Sequence, residues 1–229
     1  MATFALIHGG GDVGWYWHLV APLLRGLGHD VVAPDLPCDD DSATLHDYAD
    51  TVVEAIGGRR DLLVVAQSYG GFTAPLVADR LPVERLVYVT AMVPAPGETP
   101  ADWWENTGYR QAVEEQARLD GGVTGSDDPF VAFYNGVPRA LAEEAMSHER
   151  SESGAAYQSP WPLESLPAVP ASFVVCTEDR FFPAPFMRRV AAERLGVVPD
   201  EIAAGHCVAL SHPQQLTNLL DGYGRAAVS

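Results

Sequence analysis

The sequence has 229 residues, 47% of them hydrophobic, which suits one α/β domain with a modest insertion. Its 14 basic and 31 acidic side chains give a formal charge of −17, which disfavours nucleic acid and anionic membrane as partners. All 14 basic residues are arginine, so a Schiff-base, phosphate-loop or acid/base lysine is excluded.

Taken in chain order, Thr3–Ile7 reads as a strand, followed by the glycine-rich loop His8-Gly9-Gly10-Gly11 and a helical pattern near 15–27. Strands are expected near 30–33, 62–66, 85–90, 171–176 and 197–202. Helices are expected near 44–57, 70–81, 184–195 and 211–222. Strands rich in Val and Leu that alternate with helices predict a mostly parallel sheet of about six strands with helices on both faces. The alternation breaks after Pro94-Ala95-Pro96-Gly97, and up to Pro160 the chain reads as helices and loops with many aromatics. The expected organisation is a core of residues 1–93 and 161–229 with a helical cap insertion at 94–160. Asp39-Asp40-Asp41, just before Ser42-Ala43-Thr44, reads as a solvated loop and helix start rather than a metal site. The three cysteines, Cys38, Cys176 and Cys207, have neither disulfide-framework nor zinc spacing. No apolar run is long enough to span a bilayer, and the chain starts in a strand pattern without a basic and apolar leader, so a cytoplasmic location is expected.

The chemistry is concentrated at three strand ends. The run Leu62–Ala66 stops at Gln67-Ser68-Tyr69-Gly70-Gly71, a small-x-Ser-x-Gly pattern with Ala66 in the usual glycine position. A strand, a sharp turn and a helix would push the Ser68 hydroxyl into the open. The early glycine loop can aim backbone N–H groups at a developing oxyanion, and the expected donor pair is Gly10 and Tyr69. The loop lacks the Gly-Lys-Ser/Thr of a phosphate loop and the spacing of a dinucleotide fingerprint. Near the end, Thr177-Glu178-Asp179-Arg180 follows one apolar strand and Gly205-His206 precedes the last helical segment. The order Ser68, Asp179, His206 is nucleophile, acid, histidine, which differs from the chymotrypsin and subtilisin orders.

These segments resemble the α/β-hydrolase fold family, in its small methylesterase and hydroxynitrile-lyase-like branch. The likeness covers nearly the whole chain. It rests on Ile7-His8-Gly9-Gly10 with Gly14-Trp15-Tyr16-Trp17, on Gln67–Gly71, on Glu178-Asp179, and on Gly205-His206 with Leu210-Ser211-His212-Pro213. The resemblance implies a carboxylic ester hydrolase with the catalytic triad Ser68, Asp179 and His206, an oxyanion hole of Gly10 and Tyr69, and no cofactor or metal. Glu178 is the rival for the acid role. His8 is expected to fix the oxyanion loop. Plant hydroxynitrile lyases of this branch carry a threonine and a lysine where this chain has Gly9 and Cys207, which disfavours cyanohydrin cleavage. Trp103 and Phe133 are the expected pocket residues, and an aromatic-walled site suits a small hydrophobic or aromatic ester. The alternatives are lactone or thioester hydrolysis, a cofactor-free lyase or cyclase, and a non-catalytic small-molecule binder.

Overall fold

Side chains along a strand point alternately to opposite faces, and a sheet covered on both sides buries both sets. The central strands of this chain follow that rule. In β1 (Thr3–Ile7), Ala5 and Ile7 join one core while Phe4 and Leu6 join the other. In β3 (Leu62–Gln67), Leu62, Val64 and Ala66 face the first core, and Leu63 and Val65 face the second. The computed structural model describes residues 1–227.

The six strands are all parallel, in the order β2-β1-β3-β4-β5-β6, with β2 at Asp30–Val32, β4 at Val83–Val89, β5 at Ala171–Cys176 and β6 at Asp200–Ile202. Their order reverses between β1 and β3. In open α/β sheets, ligands bind outside the carboxyl ends of the strands at such a reversal. The glycine loop after β1 and Ser68 after β3 both stand there.

Two expected helices are broken. The pattern at 15–27 becomes a 3-10 turn at Gly14–Trp17 and the short helix α1 (Val20–Gly26). The pattern at 70–81 becomes a 3-10 turn at Ser68–Phe72 and α3 (Ala74–Ala78). Pro75 sits in the first turn of α3, where its missing N–H costs nothing. Helix α2 (Leu45–Ile56) opens on a capping box. The Thr44 hydroxyl accepts the Asp47 N–H, and the Asp47 carboxylate accepts the Thr44 N–H at 2.7 Å. Between β4 and β5 the chain forms α4 (Pro100–Asn106), α5 (Tyr109–Asp120), α6 (Pro129–Ala132), α7 (Arg139–His148) and α8 (Gly154–Gln158). The chain then closes with α9 (Ala184–Leu195), α10 (Val208–Ser211) and α11 (Pro213–Ala227). Among the described residues, no helix is long and apolar enough to cross a membrane.

The segment after β4 is tied to α9 by one buried carboxylate. Glu98 accepts both Arg194 terminal nitrogens, at 3.0 and 2.9 Å, together with the Ala95 N–H and the Asn106 amide. A buried charge is tolerated when its lone pairs are filled in this way.

Candidate active site

Ser68 is the apex of the turn after β3 and has a φ of 50°, a left-handed conformation that costs a non-glycine residue energy. Close backbone approach holds it there. A Cβ at Gly70 would lie 2.5 Å from the His8 carbonyl oxygen, and one at Gly71 would lie 1.8 Å from the Met92 carbonyl oxygen. The Met92 N–H in turn donates to the Ser68 carbonyl at 2.9 Å. Only glycine fits at either position.

The Ser68 hydroxyl lies 3.2 Å from His206 Nε2, and His206 Nδ1–H donates to Asp179 Oδ2 at 2.8 Å. All three residues are buried. Asp179 is held at every lone pair. Oδ1 accepts the Phe181 and Phe182 N–H groups at 2.9 and 2.8 Å, and Oδ2 also accepts the Thr90 hydroxyl at 2.7 Å. Thr90, at the end of β4 with a φ of 39°, went unread in the sequence because an isolated threonine carries no motif. Glu178 is exposed and shares only backbone bonds with this region, to Ala204 and Asn135, so it does not reach the histidine.

The glycine loop is fixed from inside the protein. His8 Nδ1–H donates to the Gly9 carbonyl at 2.8 Å, and His8 Nε2 accepts the Leu36 N–H at 3.0 Å. Burial lowers the His8 pKa to about 4, which keeps the ring neutral for both bonds. In a trans peptide the carbonyl and the next N–H point opposite ways, so tying the Gly9 oxygen to His8 turns the Gly10 N–H to the other side. The Tyr69 N–H lies in the first turn of a helical segment and has no intrahelical acceptor. A Cβ at Gly9 would meet Gln67 Oε1 at 2.4 Å and Ser68 Cβ at 3.0 Å, so a larger residue there would need Gln67 to move.

These groups open on a cleft of about 280 Å³ that is lined by Gly9, Gly10, Ser68, Phe133, Tyr134 and His206 among others. Phe133 stands edge-on to His206, with ring centroids 5.6 Å apart, and packs on Phe181 at 4.4 Å. Phe181 and Phe182 complete an aromatic wall around the imidazole, at 5.1 and 5.4 Å. Trp103 is not part of this lining. It is fully buried, its indole N–H donates to the Val93 carbonyl at 3.1 Å, and its ring packs against Phe182 and Phe186. The pocket expectation for Trp103 is therefore corrected to a role in packing α4 against Phe182 and Phe186. An indole with its N–H satisfied and every face covered has nothing left to offer a ligand.

The cleft also holds two acids that motif reading passed over, Asp12 and Glu149. Burial, reinforced by the nearby Glu149, raises the Asp12 pKa to about 7. Glu149 accepts the Tyr134 hydroxyl at 2.8 Å. Asp12 follows the glycines directly and was readable as part of the loop. Glu149 directly follows the distant helix α7, and nothing local in the sequence joins the two.

Comparison with known proteins agrees with this architecture. The chain is 26% identical to norfluorocurarine synthase 1 of a Strychnos species, over 95% of this chain and 93% of that protein. It is also 26% identical to salicylic acid-binding protein 2 of Nicotiana tabacum, over 93% of each chain. The crystal structure of polyneuridine aldehyde esterase superposes with a TM-score of 0.79, at 21% identity over 97% of this chain and 99% of that one. The sequence model described as the alpha/beta hydrolase family matches residues 4–219. With the six-stranded parallel sheet and the serine at its topological switch, these matches place the chain in the alpha/beta hydrolase family.

Proposed function

We propose that the protein is a serine hydrolase that cleaves a small hydrophobic or aromatic carboxylic ester through an acyl-serine intermediate. The observation that carries this reading is the hydrogen-bonded line from Ser68 through His206 to Asp179, which opens on a small aromatic-walled cleft. In this reading His206 Nε2 takes the Ser68 proton as Oγ attacks the ester carbonyl. Asp179 holds the imidazole by Nδ1 and stabilises its charged form. The Gly10 and Tyr69 N–H groups receive the oxyanion, where loss of one such donor costs about 100- to 1000-fold in rate. His206 returns the proton to the departing alcohol, then activates a water that releases the acid from Ser68. Residues 94–160 act as the cap over the cleft, and Phe133 is its contribution to the pocket wall. The substrate is a small molecule, no cofactor enters the cycle, and we place the reaction in the cytoplasm.

The similarity to a Strychnos synthase supports a second reading, in which the same residues serve a cofactor-free lyase or cyclase. Hydrolysis of p-nitrophenyl esters from acetate to octanoate, by wild type and Ser68→Ala side by side, separates the two. Turnover that vanishes in the variant supports the hydrolase. Fluorophosphonate labelling of Ser68 without turnover of any ester favours the second reading. Neither labelling nor turnover refutes a competent nucleophile and leaves a non-catalytic binder.

A further inference from the structure

The cap meets the core at the glycine loop. Segment 149–154 runs beside it, where the Arg150 N–H donates to the Gly11 carbonyl at 2.7 Å and the Gly11 N–H donates to Glu152 Oε2 at 3.1 Å. Gly11 is thus gripped on both sides of its backbone, and its φ of 69° permits the turn this requires. The other oxygen of Glu152, Oε1, accepts the Tyr48 hydroxyl from α2. The next residues of the segment are anchored as well. The Ser153 hydroxyl donates to the Ala43 carbonyl at 2.6 Å, and the Gly154 N–H donates to Asp41 Oδ1 at 2.7 Å. Asp41, read from sequence as part of a solvated loop, is a cap anchor. The contact reaches the expected donor itself, since a Cβ on Gly10 would lie 3.3 Å from Glu152 Oε2 and 3.4 Å from Tyr69 Cβ.

We infer that Glu152 is a positioning residue for the oxyanion loop: its carboxylate bridges the cap, α2 and the Gly11 N–H, and so holds the Gly10 N–H where a tetrahedral oxyanion forms. The inference rests on the hydrolase reading and on Gly10 as a donor. The bridge has physical value because the loop is otherwise four residues long with three glycines, whose backbone freedom is large. His8 fixes the Gly9–Gly10 peptide of the loop and Glu152 fixes the next one, Gly10–Gly11. A group next to the oxyanion has a constraint of its own, since a full negative charge there opposes the charge that develops in the reaction. The role therefore lies in the acceptor oxygen rather than the charge. A glutamine keeps an oxygen for the Gly11 N–H and offers an N–H to the Tyr48 oxygen.

The experiment compares Glu152→Ala, Glu152→Asp and Glu152→Gln with wild type on p-nitrophenyl butyrate, with active sites counted by fluorophosphonate titration. Affinity for a phenylboronic acid, which forms a tetrahedral adduct with the serine, is measured in parallel. Displacements of about 1 Å in a catalytic geometry cost up to about 100-fold. We expect kcat per titrated site to fall about 10- to 100-fold in the alanine variant, boronate affinity to fall by a similar factor, KM to stay within about threefold, and the glutamine variant to recover most of the loss. The aspartate variant, one methylene shorter but still charged, cannot span both partners and should fall with the alanine variant. It also carries the test if the alanine variant does not fold. An unchanged kcat per site in the folded variants overturns the positioning role, as does a glutamine variant no better than alanine. Both outcomes leave the hydrolase reading standing, because wild type and the titrated serine remain active. A wild type that neither turns over nor titrates overturns that reading and this inference with it.

Discussion

Replacing His8 with asparagine isolates one ionisable group buried behind the glycine loop. The wild-type imidazole is neutral, donates to the Gly9 carbonyl and accepts the Leu36 N–H. Burial lowers its pKa from 6.5 to about 4. Above pH 6.5 the folded and unfolded chains both carry a neutral ring, and the stability of the arrangement is fully present. As the pH falls through 6.5 the unfolded chain takes up a proton that the folded chain refuses, so stability is lost until the folded pKa is reached. Linkage between 6.5 and about 4 gives a loss of about 2 kcal/mol at pH 5 and about 3 kcal/mol at pH 4, relative to pH 8. An asparagine can still donate to Gly9 but leaves the Leu36 N–H without an acceptor, so the variant starts about 1–3 kcal/mol below wild type at pH 8. It has no such titration. Denaturant unfolding of both proteins at pH 8, 6.5 and 5 should show the gap between them shrinking by about 2 kcal/mol, because the other groups titrate in both and cancel. A gap that stays constant over this range would falsify the buried-neutral assignment. A gap that widens toward pH 5 would reverse its sign.

Asp12→Asn should move stability the other way. The raised carboxyl costs nothing below about pH 4, costs progressively more up to its pKa of about 7, and stays costly above it. The variant should gain about 2–4 kcal/mol at pH 8 and almost nothing at pH 4, as read by denaturant midpoints. Thr90→Val removes a donor from Asp179, the carboxylate that accepts the His206 Nδ1–H. It should lower kcat about 3- to 30-fold with KM little changed, and Thr90→Ser should restore most of it in the same ester assay. Gly71→Ala would drive a methyl into the Met92 carbonyl and should give no soluble folded protein. Gly58→Ala, with nothing within 4 Å of the added carbon, should melt within a few degrees of wild type in a thermal scan.

The features that could be read from sequence were those encoded locally. The strand pattern in Thr3–Ile7 and Leu62–Ala66 comes from continuous apolar runs, and both strands lie where expected. Helix α9 is expected at 184–195 and occupies those residues, because its buried side chains Phe186, Met187, Val190 and Ala191 recur at helical spacing and Gly196 ends it in a left-handed cap. The helix expected at 70–81 is broken because the turn at Ser68 continues as a 3-10 segment through Phe72, a consequence of the sharp turn rather than of propensity. The last strand, expected at 197–202, begins at Asp200, since Pro199 has no N–H for a ladder. The serine, acid and histidine stood out because each follows a strand. Thr90, Asp12, Glu149 and Glu152 did not, because their meaning arises only when segments more than 80 residues apart meet. Aromatic content alone could not tell Trp103, sealed in packing, from Phe133, which faces the cleft.

Both edges of the sheet are short and acidic. β2 and β6 are three residues each, with Asp30 on one and Asp200 and Glu201 on the other. Asp30 is bound by Arg59 and Glu201 by Arg188, which crowds the rims with charged side chains. A neighbouring molecule seeking to extend the ladder would find few open N–H and carbonyl groups and a fringe of charged, ion-paired side chains, so the native protein is a poor template for strand addition. Precipitation on heating should therefore follow unfolding rather than precede it, and light scattering should rise only after the loss of near-ultraviolet circular dichroism.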